Sequence, residues 1–470
     1  MSMDNNQTPK RAHWSSNIGF ILAAAGSAVG LGNLWKFPYL VGQNGGSVFI
    51  LVYCFFALFF GVSLILTEIS IGRATQLNPI DAFNQISPKM TWVGIMVVAT
   101  SVLILSYYSV VGGWILFYLY KSLVSFGADA DYVKVFSEFT SSANLQLITF
   151  IIYFAINYGI LALGVQKGIE KFSKIMMPAL FIILLVIVVR TLTLDGAMEG
   201  VKFLLQPDFS KLSAKTVLMA MGQVFYSLSL GMGIMITYGS YMKKEDNMIS
   251  SATSIPIIDT AVALLAAIAI MPAVFAFKME PTAGPGLMFN TLPAIFSQIP
   301  FGQFFAFIFF ILLFFAALTS SISLLESSIA LLIDKWHFKR SKAVAISSAI
   351  PFLLGIPSAL SFSILKDTTF FGKSFFDAMD FLTSSIMLPI GGIMTCIAVG
   401  WIWDKGIKSI NIKTKLADGS ETISNSYTFN APLKEITNHG KVEFSFLSAW
   451  IFLIKWVCPL GILAIFLDNL

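Results

Sequence analysis

Apolar residues gather in eleven long runs, each divided from the next by a short polar or charged stretch. The runs fall near 17–40, 45–72, 91–125, 144–164, 169–191, 216–240, 249–277, 301–333, 343–363, 374–403 and 446–468. Roughly 20 apolar residues let a helix cross the hydrocarbon core of a bilayer. A helix also satisfies its own backbone polar groups where water is absent. The pattern therefore predicts eleven membrane helices, spans one to eleven. Composition points the same way. At 470 residues, 56% apolar and 12% charged, the chain is too apolar for a soluble domain of this size.

Charge is sorted by side. Residues 1–14 are polar and basic, and no small-residue cleavage site follows them, so residues 1–16 read as a cytosolic tail and not a signal peptide. With that tail inside, the inner loops hold most of the Lys and Arg, among them Arg73, Lys167, Lys171, Lys243, Lys244, Lys339 and Arg340. The outer loops mix fewer cations with acids such as Asp129, Asp131, Glu138 and Asp195. This positive-inside bias predicts a multi-pass protein of the cell (inner) membrane, its N-terminus cytosolic and its C-terminus outside. The net charge of +5 reflects that bias and implies no nucleic-acid partner. No obligatory protein partner is evident; the bilayer is the expected surrounding.

Cys54, Cys396 and Cys458 are scattered through apolar runs, and His13, His337 and His439 are far apart, so neither a disulfide framework nor a metal spacing emerges. There is no His-Glu-x-x-His, Gly-x-Ser-x-Gly or phosphate loop. The expectation is a protein that is not an enzyme and has no catalytic residues and no organic cofactor.

Two runs are interrupted. Span one contains AAAGSAVGLGNLWKFP (Ala23 to Pro38), with Gly26, Gly30 and Gly32 followed at once by Asn33. Span six contains QVFYSLSLGMGIM (Gln223 to Met235), with Gly231 and Gly233. The two run in opposite directions, each first in a block of five. This predicts inverted repeats of about 17–191 and 216–403 within a core of 17–403, then a cytosolic loop over 404–445 with turn signals at Asp418-Gly419 and Asn430-Ala431-Pro432, then an added eleventh helix over 446–470. Interrupted helices in matching halves point to a substrate site at the midplane. Gly26-x-x-x-Gly30 is also a helix-packing motif, but packing accounts neither for Asn33 nor for the matching break.

A break frees backbone groups that protein, water or ligand must satisfy. Freed carbonyls suit a hard cation, and freed N–H groups at a half-helix start suit a carboxylate. In span eight, FFAALTSSISLLE places Thr319, Ser320 and Ser321 together. They can complete an oxygen cage or bond back to their own helix. Glu68, Asp259 and Glu326 lie inside runs, where a charge costs about 3 kcal/mol. Glu68 and Glu326 read as functional acids or as hydrogen-bond hubs. Asp259 has no Lys or Arg within a turn or two, and a bound cation explains it best.

The segments RAHWSSNIGFILAAAGSAVGLGNLWKFPYLVGQNGGSVF, TEISIGR, YYSVVGGW, KGIEKFSKIMMP, GQVFYSLSLGMG, TLPAIFSQ and LTSSISLLE occur in this order over nearly the whole chain. Together they resemble the neurotransmitter:sodium symporter family, in particular its bacterial amino-acid branch. That family is itself a standard instance of the broken-helix rule, so the two readings are not independent. The resemblance implies an all-α, 5+5 inverted-repeat fold of the leucine-transporter type and sodium-coupled uptake of amino acids by alternating access. It implies two sodium ions. One would be held by carbonyls of Gly26, Val29 and Ala316 with the hydroxyls of Thr319 and Ser320. The other would be held by the Ala28 carbonyl, Asn33, Ser227, Asp259 and the substrate carboxylate. Backbone at Ala28, Leu31 and Gly32 with the Tyr108 hydroxyl would receive that carboxylate, and carbonyls near Tyr226, Ser227 and Ser229 the ammonium. Leu31, Ile104, Tyr226, Met232, Ser320 and Leu324 would line the side-chain pocket. Arg11 with Asp334 would close the inner gate, and Lys36 with Asp380, under a Tyr226 lid, the outer one.

Departures from the family pattern refine this. Lys36 replaces an arginine and loses bidentate geometry, which predicts a looser or water-bridged gate. Met232 replaces a bulky aromatic and is adaptable, which admits larger side chains. Gly30 stands where monoamine carriers have aspartate, which implies substrates that bring their own carboxylate. Asp259 replaces an asparagine, while Ala263, one turn later, replaces a glutamate. The negative charge has moved into the sodium shell, which predicts chloride-independent transport and a group able to take a proton on the empty return step. Gly168 and Pro178 resemble a family device that lets the inner half of span five unwind. The expected substrates are neutral, hydrophobic or aromatic L-amino acids, tryptophan among them. A sodium-dependent sensor of the same fold without flux, or a channel, are the competing readings.

Overall fold

The computed structural model describes residues 12–124, 126–127, 130–279, 286–403, 409–415, 421–427 and 431–469, with backbone alone between 409 and 427. Nine of its helices are long and apolar enough to cross a membrane: Ser47–Thr75, Pro88–Val124, Ala143–Ala162, Val165–Leu192, Met248–Ala276, Gly302–Trp336, Arg340–Leu360, Phe375–Ile402 and Leu447–Asp468. These are spans two to five and seven to eleven. Span one is the pair Asn17–Ala28 and Gly32–Gln43, bent by 54°. Span six is split into Ala214–Ser227 and Ile234–Gly239. Every run expected to be a helix is helical, and the two expected breaks fall where the glycines are. The chain is a multi-pass membrane protein with the broken-helix, inverted-repeat fold.

Helix breakers and small residues shape the packing. Pro178, Pro256, Pro272, Pro351 and Pro357 sit inside helices, tolerated because neighbouring spans and hydroxyls re-satisfy the freed groups. Without a hydrophobic force between helices in lipid, close approach relies on small side chains. A Cβ on Gly72 of span two would lie 1.9 Å from the Ile236 carbonyl oxygen of span six, and one on Gly355 of span nine 2.4 Å from the Phe150 ring of span four.

Short helices join the spans where the sequence offered no element: Pro79–Ile86, Tyr132–Ser141, Ala197–Leu205 and Leu287–Ser297. Two are started by side-chain caps. Asn78 Oδ1 accepts from the Ile80 and Asp81 N–H groups, and Asp131 Oδ1 from Val133 and Lys134. The connection after span ten, expected as a structured loop, holds an antiparallel pair, Ser409–Lys415 with Glu421–Tyr427, Ile412 opposite Ser424. The Asp418-Gly419 turn signal lies between these strands, outside the described residues. The helix Ala431–Ile436 follows.

One end of the bundle is closed by polar ties. Trp14 is buried, its Nε1–H donating to the Tyr238 carbonyl at 2.9 Å. Glu170 of span five accepts the Ser15 N–H at 2.8 Å and pairs with Lys174 at 2.7 Å. Buried Arg73 donates to Glu435 Oε1 at 2.7 Å, the Asp246 carbonyl at 2.6 Å and Asn438 Oδ1 at 2.7 Å, pinning the Ala431–Ile436 helix under span two. Glu326 accepts both Arg340 guanidinium nitrogens at 2.7 Å and the Tyr241 hydroxyl at 2.8 Å. That pairing accounts for its burial.

Removing one member of a buried ion pair leaves the other uncompensated, at about 3–5 kcal/mol. Arg340→Ala is therefore expected to lower the thermal midpoint of the purified protein in detergent far more than substituting the exposed Lys134, whose Glu138 pair is solvated. Equal midpoints for the two variants would contradict this account of Glu326.

Candidate functional site

The two breaks face each other. Span one leaves the helix at Val29, an extended cap with φ −69° and ψ 99°. Span six turns through Ser229, Gly231 and Gly233, with φ values of 54°, 76° and 73°. Glycine adopts this left-handed region without strain. Ser229 is held there by its hydroxyl, which donates to the Ser27 carbonyl at 2.9 Å.

The freed backbone groups are met one by one. The Gly30 N–H donates to Asn33 Oδ1 at 3.1 Å, and the Gly231 N–H to Glu68 Oε1 at 2.7 Å. The Gly32 carbonyl accepts from Gln223 Nε2 at 3.0 Å, and the Ser27 carbonyl also accepts the Ser320 hydroxyl at 3.1 Å. Glu68 is thus the hub that holds the span-six break. Asn33, costly in lipid without partners, has them on both faces of its amide. Its Nδ2 donates to Asp259 Oδ1 at 2.8 Å. Ser227 Oγ lies 2.9 and 2.8 Å from the two Asp259 oxygens, and the Tyr53 hydroxyl donates to Oδ2 at 3.1 Å. Asp259 is fully buried.

The expected ion ligands fall into two groups. Asn33, Ser227 and Asp259 come together, beside the Ala28 end of the inner half-helix. At the second group, Gly26 faces span eight, where a Cβ would stand 3.3 Å from Thr319 Cβ and from Met177 Sδ. Thr319 Oγ1 donates to the Phe315 and Ala316 carbonyls at 3.0 and 3.1 Å. Ser320 bonds back to Ala316 at 3.2 Å and also reaches span one. Ser321 points elsewhere, to the Tyr153 hydroxyl at 2.6 Å, so it leaves the expected oxygen cage. The first group offers carboxylate, amide and hydroxyl oxygens and the second hydroxyl and carbonyl oxygens, donor sets suited to a hard monovalent cation.

A cavity of about 160 Å³ lies between the breaks. All the residues expected around a substrate line it: Ala28, Leu31, Gly32, Ile104, Tyr108, Tyr226, Ser227, Ser229, Met232, Ser320 and Leu324. Among the described residues, no Lys, Arg, Asp or Glu lines it. Tyr108 Oη is buried without a hydrogen-bond partner. A Cβ on Gly30 would stand 2.8 Å from Ser320 Oγ and 3.4 Å from Tyr108 Oη, so any side chain there would press into this end. The cavity wall also contains Tyr107, Ile234, Ser384 and Leu388, Tyr53 bonds Asp259, and Gln223 holds the Gly32 carbonyl; sequence reasoning missed all six. Tyr53 and Gln223 are polar residues in apolar runs and carried a usable signal. Leu388 and Ile234 carried none.

Lys36 and Asp380 make no direct ion pair. Lys36 Nζ lies 4.1 Å from the centroid of the Tyr226 ring, a cation–π contact. Asp380 instead accepts the Tyr107 hydroxyl at 3.0 Å and the Ser384 hydroxyl at 2.8 Å. A lysine brings a point charge without the fork that would hold a carboxylate bidentately, and the hydroxyls have taken that place. Tyr226 itself donates to the Ser384 carbonyl at 2.5 Å. For the inner pair, Arg11 lies outside the described residues; Asp334 accepts the Asn78 N–H at 2.9 Å.

Two opposed broken helices around a cavity lined by apolar and hydroxyl side chains, with clusters of oxygens beside it, are the architecture of a secondary transporter. The chain belongs to the sodium:neurotransmitter symporter family, whose profile matches residues 11–129 and 128–417. It is 40% identical over 464 residues to the sodium-dependent transporter YhdH of Bacillus subtilis, covering 98% of both chains. It is 38% identical over the whole of both chains to a sodium-dependent transporter of Haemophilus influenzae. The solved structure of MhsT in complex with L-phenylalanine superposes with a TM-score of 0.84 at 39% identity, covering 98% of this chain and 100% of that one. The family is one of transporters, not enzymes, and it is sodium-dependent.

The hub role of Glu68 has a direct consequence. An unpaired buried N–H costs about 1–3 kcal/mol. Glu68→Ala, which orphans the Gly231 N–H, should lower the thermal midpoint clearly. Glu68→Gln, which keeps an acceptor oxygen, should lose much less. A glutamine variant as unstable as the alanine one would show that the charge, not the acceptor, holds the break.

Proposed function

We propose that this chain is a sodium-coupled symporter of the cell membrane that imports neutral apolar L-amino acids, aromatic ones included, by alternating access and without chloride. The observation that carries the reading is the cavity between the breaks. One end presents Tyr108 Oη and the space kept open by Gly30; the remainder of the wall is mostly apolar, with Leu31, Ile104, Met232 and Leu324. A zwitterion fits such a site by its carboxylate at the polar end and its side chain among the apolar residues. The bound L-phenylalanine of the similar MhsT supports this class of ligand.

Two sodium ions fit the two oxygen groups. The first would be held by the Ala28 carbonyl, Asn33, Ser227, Asp259 and the substrate carboxylate, the second by Gly26, Val29, Ala316, Thr319 and Ser320. Because Ser227 both lines the cavity and bonds Asp259, ion and substrate would share ligands, which is the source of coupling. Asp259 supplies inside the cluster the negative charge that a chloride would otherwise bring. The second group abuts the inner half of span five, where Met177 meets Gly26 and Pro178 interrupts the helix, so unwinding there would open a water path. The N-terminus would lie inside and the C-terminus outside, with repeats of about 17–191 and 216–403. Lys36, Tyr226 and Asp380 would form the outer gate, and Arg11 with Asp334 the inner.

The test is uptake of radiolabelled tryptophan and leucine into proteoliposomes under an inward sodium gradient, with chloride or gluconate. Concentrative, sodium-dependent uptake, equal in both anions, is expected. Sodium-dependent binding without accumulation would make the protein a sensor. In the same assay Asp259→Asn should raise the half-saturating sodium concentration about tenfold or more, equivalent to ~1.4 kcal/mol, or introduce a chloride requirement. Unchanged sodium dependence with no new chloride requirement would sink the Asp259 argument.

A further inference from the structure

Span ten forms a wall of the cavity that the broken helices do not account for. Ser384 and Leu388, four residues apart and so on one helix face, both line it, and Leu388 is only 2% exposed. Between Phe381 and Met387 the helix widens, the Leu388 N–H bonding back five residues to Thr383. Such wide turns recur at functional positions. Just beyond, span ten meets the unwound backbone of span six directly. A Cβ on Gly391 would stand 2.4 Å from the Gly231 carbonyl oxygen, one on Gly231 2.5 Å from the Leu388 carbonyl oxygen, and one on Gly392 2.7 Å from the Phe225 ring. One turn away the Tyr226 hydroxyl donates to the Ser384 carbonyl.

From this we infer that span ten reads the size of the transported side chain, with Leu388 as a specificity-determining residue and Gly391 setting its distance from the span-six break. The inference rests on the amino-acid reading of the cavity. Met232 shares the cavity but is unbranched and repacks readily. Leu388 sits on a helix held against span six by backbone contact on both sides, so it cannot move aside without moving that helix. Met232 therefore adapts to the substrate while Leu388 limits it.

The experiment displaces labelled L-phenylalanine from the purified full-length protein in sodium, using L-valine, L-leucine, L-phenylalanine and L-tryptophan as competitors. One methylene in an apolar pocket is worth about 10–200-fold in discrimination. Leu388→Ala should raise the tryptophan-to-valine affinity ratio about tenfold or more, and Leu388→Phe should lower it by a similar factor. Gly391→Ala, which pushes span ten and Leu388 with it away from the Gly231 carbonyl, should raise the tryptophan-to-valine ratio in the same direction as Leu388→Ala. Should Leu388→Phe fail to fold, Leu388→Val and Leu388→Met carry the same ratio test. Variants that bind but keep the wild-type ratios within about threefold would overturn the inference while leaving the amino-acid reading intact. A wild-type protein that binds none of the four would remove that reading and this inference with it.

Discussion

Lipid offers a broken helix no hydrogen bonds, so each N–H and C=O released by the breaks in spans one and six must find a partner in protein, water or ligand. Much of the architecture follows from that requirement. Span two supplies Glu68 to the Gly231 N–H, and span six supplies Gln223 to the Gly32 carbonyl. Asn33 turns its own side chain back to the Gly30 N–H, while Ser229 and Ser320 converge on the Ser27 carbonyl. These bonds work only if the spans approach closely, which is why Gly72 and Gly391 lie where any side chain would strike the backbone of span six.

The same residues join the ion cluster to the cavity. Asn33 touches the break through one end of its amide and Asp259 through the other. Ser227 faces the cavity and donates to the same carboxylate. A cation beside Asp259 would redirect the oxygens of Asn33 and Ser227, and a ligand in the cavity would meet Ser227 and the backbone of the same break. Two sites that share ligands cannot fill independently, and thermodynamic linkage makes the effect reciprocal. Around Tyr226 the Lys36–Tyr226 contact and the Tyr107–Asp380 hydrogen bond stand where a direct ion pair was expected, and they lack the bidentate geometry of an arginine pair.

What the sequence revealed and what it withheld have physical reasons. The spans were legible because lipid demands long apolar runs, and the breaks because glycine and asparagine are conspicuous within them. The cavity lining was legible only through the family resemblance; nothing in the residue pattern marks Ile104 or Leu324. Leu388 stayed hidden because an apolar residue in an apolar run looks the same whether it faces lipid or ligand. Glu326 was visible as a buried acid, but its partner Arg340 begins the next span, and only the fold shows that the two meet. The short connecting helices lie in loops, where capping residues such as Asn78 and Asp131 fix the start and tertiary packing decides the rest.

The central claim is that ion and substrate bind through one shared cluster. It is tested most directly by titrating the purified protein with L-phenylalanine at several sodium concentrations, and with sodium at several L-phenylalanine concentrations, by calorimetry. Shared ligands predict that sodium tightens the amino acid and that the amino acid tightens sodium by the same factor, with the mutual effect lost when Asn33 or Ser227 is replaced by alanine. Affinities that do not depend on each other in the unaltered protein would contradict the account.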